Sequence, residues 1–113
     1  MTVPQLKIYT LALKVTNSKT KKKFLKNLVN FLKEVDKYSE FQGMKVYFRI
    51  SFRYVLEVMD TDVVEKEEIL DMSRRIIPER SDDIMTVAEE LKREGREEGR
   101  KEELIITLTV LLE

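Results

Sequence analysis

The sequence predicts an all-α fold, a small bundle of about five helices with a long polar C-terminal helix. Two observations carry this. The 113 residues include only 3 Gly and 2 Pro, too few turn formers for a sandwich or barrel. Apolar residues also recur at helical spacing through most of the chain, most clearly at Phe24, Leu25, Leu28, Phe31, Leu32 and Val35. A chain this short supports one core. Its 42% hydrophobic and 37% charged residues are a globular balance, not a disordered one.

The first helix is expected from Pro4 to Val15. Pro4 suits the first helical position, with Thr2 as its cap. Leu6, Tyr9 and Leu13 share one face, and Ile8, Leu11, Ala12 and Val15 widen the stripe. Asn17 and Ser18 break it. The second helix starts at Lys19 or Thr20 and runs to Tyr38, and Ser39 to Gly43 reads as a loop. The stretch 44–59 fits two patterns. Phe48 to Tyr54 alternates as a strand would, while Met44, Tyr47, Phe48, Ser51, Val55, Val58 and Met59 fit a helical face. At about 16 residues the run is longer than a common strand, which favours a helix. Asp60, Thr61 and Asp62 offer caps for a fourth helix carrying Val63, Ile69, Met72 and Ile76, ended by Pro78. A fifth begins at Ser81 or Asp82, or at a Thr86–Glu89 capping box, with Ile84, Met85, Ala88 and Leu91 as its apolar contacts. The chain thus divides into a helical bundle over 1–80 and a C-terminal helix over 81–113.

Composition removes several chemistries. Without Cys there are no disulfides, zinc–thiolate sites or thiol nucleophiles, and without His there is no Ser–His pair or imidazole ligand. Asp60, Asp62 and Glu65-Lys66 bring acidic groups close in sequence, but they fall in a capped turn running into a helix rather than on adjacent strands. Glu34 and Asp36 fare no better. No Gly-rich phosphate loop is present. The expectation is no catalytic residue, no cofactor, no metal and no small-molecule substrate. The apolar run Leu104 to Leu112 is too short to span a membrane, and the N-terminus lacks a signal-peptide layout. A soluble, cytoplasmic protein is expected.

The net charge of zero conceals an asymmetry. Residues 1–60 hold 12 Lys or Arg against 5 Asp or Glu, and residues 61–113 hold 9 against 16. Such halves attract each other within one chain or between copies, or are simply solvated. Lys19, Lys21, Lys22, Lys23 and Lys26 crowd the start of the second helix, the wrong sign for its dipole. They are candidates for a weak DNA phosphate contact, with Arg49, Arg53 and the aromatic Phe48, Phe52 and Tyr54 beside them. A solvated basic end is the simpler explanation, because dipole effects at exposed sites are only a fraction of a kcal/mol.

Near the end, Glu94-Gly95-Arg96-Glu97 is followed by Glu98-Gly99-Arg100-Lys101, a four-residue repeat. Gly95 and Gly99, at i and i+4, share a helical face and could admit another helix closely. The alternative is a solvated helical tail. The stretch from Asp83 to Arg100 resembles the C-terminal part of the Rpn family, the recombination-promoting nucleases also known as YhgA-like transposases. Phe52-Arg53-Tyr54-Val55-Leu56, Leu11 to Lys14 and the run Phe24 to Leu32 are similar to its preceding segments. The resemblance implies a C-terminal domain separated from a nuclease domain of PD-(D/E)xK type, so no family catalytic residue maps here. It further implies a short, antitoxin-like form, acting in phage defence, whose partners are itself and the long nuclease. Unlike family tails, this one passes from Glu103 straight into Leu104-Ile105-Ile106-Thr107-Leu108-Thr109-Val110-Leu111-Leu112, an apolar run expected to dock on its own core or on another copy. The predicted contact residues are Leu91, Gly95, Gly99, Leu104, Ile105 and Leu108.

Overall fold

A computed structural model describes residues 4–95. Among them there is no strand. The elements are α1 (Pro4–Thr16), α2 (Lys21–Lys37), α3 (Met44–Val58), α4 (Lys66–Ile76), a 3-10 turn at Pro78–Arg80, and a helix over 81–95, termed α5.

Helix α2 forms where the apolar spacing places it. Thr20 adopts extended backbone and its Oγ1 accepts from the Lys23 amide at 3.3 Å, satisfying one of the amides that a helix start leaves without a partner. Phe24, Leu28, Phe31, Leu32 and Val35 are buried along it. Of the stretch 44–59, Met44–Val58 is helical, as its length favoured, with Met59 as the C-cap. Met44, Phe48, Ser51, Phe52, Val55 and Leu56 form its inner face, and Phe48 stacks on both Phe31 and Phe52, with centroids 6.3 and 5.2 Å apart.

Three local expectations need correction. In α1 the inward residues are Ile8, Ala12 and Val15, while Leu6 and Leu13 point outward. Helix α4 starts at Lys66, not in the Asp60–Asp62 turn. Asp60 Oδ1 instead accepts from the Asp62 amide at 2.9 Å, which closes a turn and leaves the cap position to Glu65. Val63 therefore precedes α4, and Val64 is buried in the core. Ser81 is already helical, following directly on the 3-10 turn, and its Oγ accepts from Arg74 Nε at 3.2 Å. Thr86 is interior to α5 and donates to the Asp82 carbonyl, so no capping box forms there. The Thr2 cap lies outside the described residues.

The reversal between α2 and α3 needs Gly43, whose φ is +87°. There a Cβ would stand 3.2 Å from the Tyr47 ring, in a backbone conformation that L side chains avoid. Gly43→Ala is expected to destabilise the fold by about 1–2 kcal/mol, read as a lower urea midpoint with an unchanged slope.

One core joins all five helices. Ile84 and Val87 of α5 belong to it together with Ile8, Phe24, Phe48 and Ile69. The first half of the segment 81–113 is therefore built into the bundle.

Candidate functional site

Part of the electrostatic asymmetry of the sequence is paired inside the chain. Lys21 meets Glu68 at 2.9 Å, tying α2 to α4 and offsetting the adverse charge at the α2 start. Asp83, nearly buried at the base of α5, sits 3.0 Å from Arg49, 3.4 Å from Arg80 and 3.9 Å from Lys45. Arg80 also donates to the Ser39 carbonyl, fastening the α2–α3 loop to the same cluster. One turn further along α3, Arg53 pairs with Glu57, Glu90 and Glu94, and its bonds to Glu94 and Glu57 raise its pKa further above the ordinary guanidinium value.

These pairs bear on the candidate phosphate contacts. Arg49 and Arg53 face carboxylates of their own chain, and Phe48 and Phe52 are core residues without a solvent-facing ring. Lys19, Lys22, Lys23 and Lys26 remain exposed around the α2 start. Lys19 and Lys23 rim a shallow polar hollow with Lys14, Asn17, Ser18 and Asn27. Asn27 Nδ2 donates to Ser18 Oγ at 2.8 Å, so its amide serves the α1–α2 turn.

The acidic residues weighed for metal binding do not converge. Among the described residues no group of three or more Asp or Glu could hold an ion. Asp36 and Glu79 do meet, bringing the end of α2 to the 3-10 turn. The bond to Glu79 raises the Asp36 pKa, and the same bond lowers that of Glu79. The contribution of a raised carboxyl is present below its unfolded pKa and is lost as pH rises through its folded value. Asp36→Asn supplies a permanent donor to Glu79. It is expected to be more stable than the parent at neutral pH, with the gap closing as the solution is acidified. Urea midpoints of both proteins across the acid range check this.

The described residues leave an apolar face uncovered. Along α3, Val46, Ile50, Tyr54 and Val58 recur every fourth residue and point outward, at 56%, 54%, 36% and 50% exposure. Leu6 and Leu13 of α1 are exposed as well. The two helices run side by side in the same sense, Tyr9 meeting Tyr47 edge to face at 6.3 Å. Between them lies a groove of about 290 Å³ lined by Tyr9, Ala12, Leu13, Ile50, Ser51 and Tyr54. Ser51 Oγ donates back to the Tyr47 carbonyl at 2.8 Å, so its hydroxyl is satisfied within its own helix. No charged side chain lines it. Exposed apolar residues scattered singly are ordinary, whereas here they gather along two adjacent helices. Residue type alone did not reveal it. The available signal was the four-residue recurrence from Val46 to Val58, one face away from the Phe48–Phe52–Val55 stripe.

Of the predicted contact residues, the structure describes Leu91 and Gly95. Leu91 is half-buried in a hollow between α3, α4 and α5, beside Leu56 and Leu70. Gly95 is one turn further on the same helical face, and a Cβ there would meet nothing within 4 Å. Gly99, Leu104, Ile105 and Leu108 lie outside the described residues, as does the expected docking of 104–112.

Among the described residues no helix is long and apolar enough to cross a membrane. No family model, curated protein or solved structure matches the chain.

Proposed function

We propose that this chain is a non-catalytic assembly module. It associates with copies of itself and, as the Rpn resemblance implies, with a long nuclease carrying the same domain. The observation that carries the reading is the apolar face across α1 and α3, which the described residues leave uncovered. Leu91, Gly95, Gly99, Leu104, Ile105 and Leu108 are the proposed contacts on the C-terminal side. A short chain that keeps the contact surface takes the place of one long protomer in a symmetric pair. A nuclease that needs two active copies is then silenced by mixed assembly.

The test has two readouts. Sedimentation equilibrium of the full chain is expected to show a concentration-dependent dimer, and a single-chain mass at every concentration rejects the assembly reading. Added to a long-form nuclease, the chain is expected to co-purify with it and to reduce DNA cleavage in stoichiometric proportion. Unchanged cleavage without co-purification rejects the blocking role. Gly95→Ala separates assembly from a solvated tail. It stabilises the helix by up to about 1 kcal/mol in either case. Only on an assembly face does it also weaken the dimer.

A further inference from the structure

We propose that the α1/α3 groove receives the apolar segment 104–112 of a second copy of this chain, in a reciprocal exchange across a two-fold axis. The inference rests on the assembly reading above and supplies its contact.

The occupant follows from chemistry, length and direction. The groove is lined by uncharged side chains, chiefly Leu13, Ile50 and Tyr54 over Ala12. The nine residues from Leu104 to Leu112 carry no charge, and only Thr107 and Thr109 are polar. The outward stripe from Val46 to Val58 covers twelve residue steps, about 18 Å of helix. A nine-residue helical segment is about 13–14 Å long and fits along it. Each surface lacks what the other offers.

Direction favours a second copy over the chain's own groove. Helix α5 runs alongside α3 in the same sense, since Asp83 pairs with Arg49 and Glu94 with Arg53. At Gly95 the chain is therefore heading past the C-terminal end of α3, with nothing near its Cα face. To enter its own groove, the chain would have to reverse between residues 96 and 103. That stretch has no Pro and a single Gly, Gly99, amid Glu, Arg and Lys, which favour continued helix over a turn. The C-terminal helix expected from the sequence over 81–113 would carry Leu104 another about 13–14 Å outward. A two-fold partner then meets each segment with its own groove, and both apolar surfaces are covered at once.

The absence of native Cys makes the test direct. Two differently tagged full-length chains, one Ile50→Cys and one Leu108→Cys, are mixed, re-equilibrated and treated with a short bismaleimide. The expected product is a covalent pair containing one chain of each kind, in large excess over pairs of either variant with itself. The double variant Ile50→Cys/Leu108→Cys is expected to cross-link mainly between chains when the protein is above its dimer dissociation constant. A cross-link formed within single chains overturns the proposal. So does a dimer in the sedimentation experiment that gives no 50–108 cross-link, an outcome that leaves the assembly reading standing. A protein that is a single chain at all concentrations overturns both. As an independent check, Ile50→Lys and Leu108→Lys are each expected to weaken the dimer at least tenfold while leaving the helical circular dichroism signal unchanged. A dimer constant unaltered by both substitutions overturns the proposal.

Discussion

Phe48→Ala is expected to destabilise the fold by about 3–5 kcal/mol, most of what a domain of this size possesses. Phe48 is completely buried and stands at the centre of the aromatic column, between Phe31 on α2 and Phe52 on its own helix. Truncation removes the ring's transfer free energy, and it leaves a cavity that the surrounding helices close only in part. Both ring contacts vanish as well, each contributing about 0.5–1.5 kcal/mol beyond its buried area. Phe48→Leu keeps most of the volume and is expected to lose distinctly less. Urea unfolding followed by circular dichroism measures both variants. A loss for Phe48→Ala below about 1 kcal/mol would mean that the column is not the centre of the core. The consequence reaches the surface, because Phe48 is on the opposite side of α3 from Val46, Ile50 and Tyr54. Whatever seats α3 in the core also fixes the angle at which it presents that outer stripe.

How far these features could be read from the sequence depended on how many apolar faces a segment carried. Helix α2 has one, with Lys and Asn elsewhere, so its spacing identified both the helix and its inner face. Helix α3 has two, Phe48–Phe52–Val55 inward and Val46–Ile50–Tyr54 outward. Superposed, they imitate the alternation of a strand, and this is why 44–59 read ambiguously. Helix α1 is apolar nearly all round, so its periodicity could not choose a face. The core took Ile8, Ala12 and Val15, and left Leu6 and Leu13 outside. The α4 start was misplaced because an Asp can close its own turn as readily as cap a helix, and Asp60 does the former. The charge asymmetry was plain in the sequence. Whether it acted within a chain or between chains depended on pairs 34 to 47 residues apart, such as Arg49–Asp83 and Lys21–Glu68, which no local pattern encodes. The groove was hidden for the same reason, since it exists only where α1 and α3 lie side by side.

Asp83→Ala is the second change expected to have a large effect, about 2–3 kcal/mol. The carboxylate is about 10% exposed and is the common partner of Arg49, Arg80 and Lys45. Removing it deprives Arg80, also nearly buried, of its salt-bridge partner, leaving Glu79 and Asp36 as the nearby negative charges. Loss of one member of a fully buried pair typically destabilises by about 3–5 kcal/mol. Arg49 and Lys45 reach solvent and recover part of that by hydration, which places the expected value below this range. Asp83→Asn retains an acceptor for Arg49 while losing the charge, so its effect should be intermediate. Lys21→Ala, at an exposed pair, is expected to change stability by no more than about 1 kcal/mol. A double-mutant cycle with Arg49→Met isolates the coupling, and a coupling near zero would show that Asp83 acts only through Arg80. Hydrogen exchange adds a second readout. Asp83 fastens the first turns of α5 to α3 and the 3-10 turn, so its loss should speed exchange at amides over 84–95 more than those of α2. If α5 is the stem that carries the C-terminal contacts, Asp83→Ala should also weaken the dimer without touching the groove. That effect on assembly would come from a residue in the α5 stem, not in the contact itself.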